Sequence, residues 1–225
     1  MISTAITIAK AAIQKSVGIK PSVVLKHEKL WETAQLRPEY RKFIDQVIDK
    51  VIDRKRRYEA VANAMGNGMP WWAVMNWHIM EAGHKQNPFL FHLHCGDPLT
   101  ARTVNVPRGR PKANPGNGSK PPSVTNPYTW EESALDCLIN VCKFQSIKDW
   151  SIGNYLWISE KFNGVGYHNK KINTPYVWSY TNHYGEPPNI GKYVADSKFD
   201  PKAISKQAGC AAYILRMKER GIITV

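Results

Sequence analysis

The segment WWAVMNWHIMEAGH, residues 71–84, carries a single carboxylate, Glu81, among Trp71, Trp72, Val74, Met75, Trp77 and Ile79. A carboxyl group in such company loses hydration, which disfavours its charged form and raises its pKa. A general acid working near neutral pH needs that shift. A non-helical stretch follows and delivers Asp97 and, after five intervening residues, Thr103. The same spacing also allows a plainer arrangement, in which Glu81 pairs with Lys85 at i+4 and Asp97 makes a turn.

Histidines crowd this region: His78, His84, His92 and His94, with Cys95 beside them. His78-x-x-Glu81-x-x-His84 is a candidate zinc site. Helical zinc motifs, however, set their histidines at i and i+4, on one face. Six positions amount to about 600° around a helix, so His78 and His84 point in different directions. His92 and His94 can share a strand face, yet no third ligand has a recognisable spacing. No metal is expected.

These side chains need a scaffold. From Glu39 onward, Phe43, Val47, Val51 and Ile44, Ile48, Ile52 recur at helical spacing, which predicts a helix through Val61, stopped by Gly66-Asn67-Gly68. Its basic run from Asp53 to Arg57 reads as a solvated face. Pro70 suits the first turn of the next helix, which presents Glu81 and ends at Gly83. HLHCGDPLTARTVNVP (92–107) alternates and predicts a short β-hairpin turning at Gly96-Asp97-Pro98. The following stretch, 108–127, holds five prolines and three glycines and reads as a loop. Thr129 to Glu132 forms a capping box opening a helix to about Cys142. Another helix follows Asp149 through Tyr155 and Trp157 to Phe162. After an aromatic loop (167–199), Asp200 can cap and Pro201 open a last helix, with Gly221 after its end. The expected fold is mainly α (α+β), a helical domain over 37–225 with one small inserted β-hairpin and long loops. Residues 1–36 form an N-terminal arm or short helical extension.

An acidic residue at a helix end, then a hairpin carrying Asp and Thr, resembles the small phage lysozymes, although the 16-residue step from Glu81 to Asp97 is longer here. FNGVGY (162–167) is similar to an element of the lytic transglycosylases and goose-type lysozymes. TPYVWS (174–179), GKYVAD (191–196) and Gln207-Ala208-Gly209 look like further parts of lysozyme-like catalytic domains of phages and bacteria. Together the pieces span residues 75 to 212. The resemblance implies a lysozyme-like peptidoglycan hydrolase without a cofactor, cleaving between N-acetylmuramic acid and N-acetylglucosamine. Glu81 would protonate the glycosidic oxygen, while Asp97 and Thr103 would support the oxocarbenium ion or position a water. Carboxyls about 6.5–9.5 Å apart would imply water attack with inversion. If Asp97 lies too far away, the substrate's own 6-hydroxyl could attack and leave an anhydro sugar, as in the transglycosylases. Asn163, Gly164 and Gly166 could let backbone approach the sugar, and Tyr167, Tyr176 and Trp178 could stack on pyranose faces. Each of these also reads as an ordinary turn or core residue.

Composition narrows the partners. In 225 residues, 31 Lys and Arg stand against 18 Asp and Glu, a net charge of +13. That balance points to a polyanion: nucleic acid, an anionic membrane surface or an envelope polymer. Eight Trp, ten Tyr and six Phe supply flat faces for bases or sugar rings. No recognised nucleic-acid motif appears and the basic residues are spread along the chain, so no nucleic-acid partner is expected. Peptidoglycan and the anionic envelope are the expected partners, through an attraction that salt weakens, with a virion partner open to the arm.

Hydrophobic residues at 43% and charged residues at 22% exclude a wholly disordered chain. A mean hydropathy of −0.42 and the lack of an 18-residue apolar stretch argue against a transmembrane span. The N-terminus lacks the pattern of a secretory signal, which implies synthesis in a host cytoplasm and action on the wall at lysis or from a virion. Cys95, Cys137, Cys142 and Cys210 read as buried thiols outside any disulfide, with Cys137 and Cys142 too far apart on a helix to lie side by side. Two other classes stand beside the lysozyme-like one: a zinc-dependent peptidoglycan amidase or peptidase, and a non-catalytic basic envelope- or nucleic-acid-binding protein.

Overall fold

The computed structural model describes residues 21–112, 127–195 and 197–225. The first 20 residues of the expected arm, most of the proline-rich loop (113–126) and Asp196 of GKYVAD lie outside the described residues. In chain order the described helices are α1 (Pro21–Glu32), α2 (Arg41–Ile52), α3 (Lys55–Met65), α4 (Trp71–Ala82), α5 (Trp130–Leu135), α6 (Ile152–Asn163), α7 (Gly166–Asn169), α8 (Pro175–Trp178) and α9 (Cys210–Glu219). One two-stranded antiparallel sheet joins β1 (Lys192–Ala195) to β2 (Lys198–Asp200). The architecture is therefore mainly helical with a small hairpin. Among the described residues no helix is long and apolar enough to cross a membrane.

A helix that is apolar all round belongs at the centre, and α4 is buried from Trp72 through Ala82. Trp77 stacks on Phe162 of α6 at 5.8 Å and donates its indole N–H to Ser159 Oγ at 3.0 Å. Asn76 donates to the Cys210 carbonyl at 2.9 Å, tying α4 to the start of α9. On the other side of α6 lies α1, where His27 meets Glu160 at 3.0 Å and stacks on Trp178. The close approach of α1 to α6 depends on Gly153, since a Cβ there would fall 2.3 Å from Glu28 Cγ. The half of the predicted arm that is described is thus a helix packed on α6.

The predicted helix over 39–61 is two helices. The chain breaks at Asp53-Arg54, and Gly66 caps α3 with φ +64°. The basic run is largely solvent-facing, as expected, with two of its members also in contact: Arg57 donates to Glu131 at 2.8 Å and lies 4.4 Å over the Phe89 ring, and Lys55 lies 4.7 Å over Trp71.

The hairpin is elsewhere than predicted. Residues 92–107 form no paired strands, only the isolated bridge between Phe91 and Pro98, whereas Lys192 pairs with Asp200 and Tyr193 with Phe199. Pro98, Pro107 and Pro111 lack the N–H groups that a ladder needs. The stretch is organised by side chains instead, as described below. Nor does Pro201 open the last helix. Asp200 accepts the Lys202 amide at 2.8 Å, but the chain stays non-helical until Gly209.

Thr129 and Glu132 form the expected capping box. The helix they open then widens into a π-helical turn, Asp136–Val141, in which the Cys142 amide bonds the Cys137 carbonyl at 2.8 Å. That i+5 geometry stacks the two sulfurs 4.0 Å apart, side by side after all. Cys137, Cys142 and Cys210 are buried, Cys95 is half-buried, and no disulfide forms among the described residues.

Gly209 marks a junction where backbone meets backbone. Its amide donates to the Ser179 carbonyl, and a Cβ would lie 2.4 Å from the Val177 carbonyl oxygen and 2.8 Å from the Ser179 amide. Backbone cannot yield as a side chain can, so Gly209→Ala should cost about 1–3 kcal/mol. A thermal melt checks this: the midpoint should drop by about 3–10 °C, and an unchanged midpoint would refute the close packing.

Candidate functional site

Glu81 occupies the last turn of α4 and is 7% exposed. Three segments distant in sequence close around it. Gly96, at φ +70°, brings its turn so near that a Cβ would sit 2.5 Å from the Glu81 carbonyl oxygen. Only glycine adopts that conformation cheaply and leaves that space. From α8, the Tyr176 hydroxyl donates to Glu81 Oε1 at 3.1 Å. From the loop before α9, Gln207 donates its amide to the neighbouring Met80 carbonyl at 2.7 Å. Pieces of GDP, TPYVWS and Gln207-Ala208-Gly209 therefore meet at one helix end. Burial first, and then the nearby Glu81 charge, push the Tyr176 hydroxyl well above its ordinary pKa. Tyr176 consequently remains a donor across the working pH range. Burial, with a further push from Glu81, also raises the Cys210 thiol to about 12.

Asp97 and Thr103 lie in the loop that follows. The Asp97 carboxylate accepts the amides of Val104 at 2.9 Å and Asn105 at 2.8 Å, and the Asn105 side chain as well. Burial alone would raise its pKa, but bonds from Asn105, the Cys95 thiol and Val104 outweigh it and hold the carboxyl below the usual range. The Thr103 hydroxyl donates to the Pro107 carbonyl and accepts the Arg110 amide at 3.0 Å. Both side chains hold the loop 96–110 in shape.

The second set of expected residues is divided. Asn163 and Gly164 end α6, Gly164 with φ +111°. Tyr167 packs with Tyr193 and Phe199 against the β-hairpin, where its hydroxyl accepts the Tyr193 amide at 3.0 Å. Burial raises that hydroxyl to about 12. Trp178 is fully enclosed (0% exposed) against His27 and His183. As placed, Trp178 is a core residue with no face for a sugar, whereas Tyr176, another of the five expected binding residues, is bonded to Glu81.

The histidines resolve into separate structural roles. His78 is wholly buried: Tyr58 donates to its Nδ1 at 2.8 Å, while its Nε2 donates to the Pro88 carbonyl at 3.0 Å. That arrangement suits the neutral ring, and burial lowers its pKa to about 3. Among the described residues no group of three or more His, Cys, Asp or Glu is placed to hold a metal. A pH prediction follows from His78. The unfolded ring binds its proton near pH 6.5 and the folded ring only near 3, so folding stability should fall as pH drops through that interval. His78→Gln should flatten this slope in urea titrations at several pH values; an equal slope in both proteins would refute it.

One network was not legible beforehand. Ser133 Oγ lies 2.8 Å from His92 Nδ1 and 3.4 Å from His94 Nδ1, and His94 Nε2 lies 2.9 Å from Asp136 Oδ2. Asp136 also takes Arg110 Nη2 and Asn140 Nδ2, both at 3.0 Å. Ser, His and Asp follow one another as in a nucleophilic triad. Ser133 and His94 are 0% exposed, however, so no substrate reaches the hydroxyl. The alternation of His92 and His94 was the available signal; its partners on α5 and the π-helical turn were not.

No protein-family model, curated protein or solved structure matches this chain.

Proposed function

We propose that this protein is a peptidoglycan hydrolase that cleaves the glycosidic bond between N-acetylmuramic acid and N-acetylglucosamine, with Glu81 as the general acid. The observation that carries the reading is the convergence at Glu81: a carboxyl at the end of an apolar helix, held by the Tyr176 hydroxyl and walled by the Gly96 turn. In its protonated form such a carboxyl can deliver a proton to the glycosidic oxygen as the bond breaks. The net charge of +13 concentrates the protein on an anionic envelope. A phage enzyme of this kind is made in the host cytoplasm and reaches the wall at lysis or from a virion.

A second outcome at the same residue, lytic transglycosylation, is favoured by one observation. Both oxygens of Asp97 and the hydroxyl of Thr103 are engaged in holding their loop, leaving neither committed to a water. The substrate's own 6-hydroxyl would then be the nucleophile. Mass analysis of wild-type digests of purified peptidoglycan separates these outcomes. Reducing muramic ends indicate hydrolysis, and anhydro ends indicate transglycosylation. Intact glycan with cut peptide stems would overturn the reading altogether.

A further inference from the structure

Beside the loop that Thr103 ties to Pro107 and Arg110 lies a cavity of about 710 Å³ lined by Arg108, Arg110, Lys112, Asp136, Asn140 and Lys143. Its single carboxylate is already in use. Asp136 binds His94, Arg110 and Asn140, so it neutralises Arg110 and little else. Arg108, Lys112 and Lys143 have no ion-pair partner among the described residues. The cavity therefore carries an excess of three positive charges. Arg110 is 8% exposed and locked by Asp136, which fixes a planar donor in the wall.

Lys143 lines the same cavity from the end of the π-helical turn. It follows the π-helical turn in the left-handed conformation, φ 59° and ψ 34°, where glycine is the usual helix-ending residue. A lysine held there against that preference lines the cavity with an ammonium group. Three uncompensated cations suit a dianion or a run of anions better than a single carboxylate, and guanidinium and ammonium groups are the usual partners of phosphate.

We propose that this cavity binds phosphate groups, and that its ligand on the wall is the phosphodiester chain of an anionic glycopolymer attached to the glycan. The phosphate chemistry rests on the cavity; the polymer as its source rests on the peptidoglycan reading. The test titrates the full chain calorimetrically with inorganic phosphate, an oligomer of glycerol phosphate, an oligonucleotide of equal phosphate count, and acetate, all at one ionic strength. Phosphate should bind and acetate should not, and the oligomer should bind at least tenfold tighter than inorganic phosphate. Arg108→Ala combined with Lys143→Gly should weaken oligomer binding about tenfold or more. Because Lys143→Gly relieves the left-handed strain, its melting temperature should not fall, which separates lost binding from lost folding.

Equal binding of acetate and phosphate, or unchanged binding by the double variant, would overturn the site. Tighter binding of the oligonucleotide would overturn the glycopolymer as its source. None of these titrations involves cleavage, so failure of the Glu81 reading would leave them standing. Conversely, the double variant should digest polymer-free peptidoglycan at the wild-type rate.

Discussion

Glu81→Gln should lower the rate of glycan cleavage by at least about 10²–10⁴-fold, the range that a positioned general acid contributes. The substitution keeps the side chain's shape and removes the proton it donates. The fold should survive it, because Tyr176 can donate to an amide oxygen as it does to Oε1 of the carboxylate. The neighbouring bond from Gln207 to the Met80 carbonyl involves backbone and is untouched. Turbidity clearance of wall suspensions measures the rate, and a melting curve on the same sample verifies folding. Loss of activity with an unchanged melt is the expected pair of results.

The largest effect on stability should come from Asp136→Asn. All the groups around this carboxylate are donors: Arg110 Nη2 and Asn140 Nδ2 at 3.0 Å, and His94 Nε2 at 2.9 Å. An asparagine turns its own NH2 toward one set of them and leaves the Arg110 guanidinium without its counter-charge. Breaking a buried pair in this way costs about 3–5 kcal/mol, which corresponds to a melting point lower by about 6–20 °C. The pH dependence has a definite sign. Burial acts to raise the Asp136 pKa, but the bonds from His94 and Asn140 and the Arg110 charge outweigh it, so the folded carboxyl titrates below its ordinary 3.8. Its stabilisation is complete above that pH and is lost as pH falls through the folded value. The gap between wild type and Asp136→Asn should therefore hold constant from neutral pH to about 4 and close below it. A gap that widens in acid would contradict the network.

Much of the scaffold could be read from local chemistry. Pro70 and Gly83 bracket α4, the Thr129–Glu132 box starts α5, and the all-apolar pattern places α4 at the centre. Where expectation failed, a distant partner decided. The helix breaks at Asp53-Arg54, and Arg57 just beyond it reaches Phe89 and Glu131, partners that no local signal encodes. The π-helical turn after Leu135 brings together two cysteines that α-helical spacing separates. Residues 92–107 alternate like strands, but prolines deny them a ladder, and Asp97, His92 and His94 organise them through side chains instead. Gly209 delays α9 because its contact with Val177 and Ser179 admits no side chain. At the candidate site, the burial of Glu81 at the end of α4 was legible from its apolar neighbours. The bond from Tyr176, 95 positions away, was visible only as a motif of uncertain role. Trp178 shows the converse, an aromatic expected to face a sugar that the fold uses for packing against His27.

The measurement that bears most directly on the account is a paired digestion of one peptidoglycan preparation by wild type and Glu81→Gln, with new muramic ends counted by mass spectrometry. The account predicts reducing or anhydro muramic ends from the wild type and almost none from a variant that melts at the same temperature. Equal release of such ends by both proteins would contradict it, and the chemistry would then belong to residues other than Glu81.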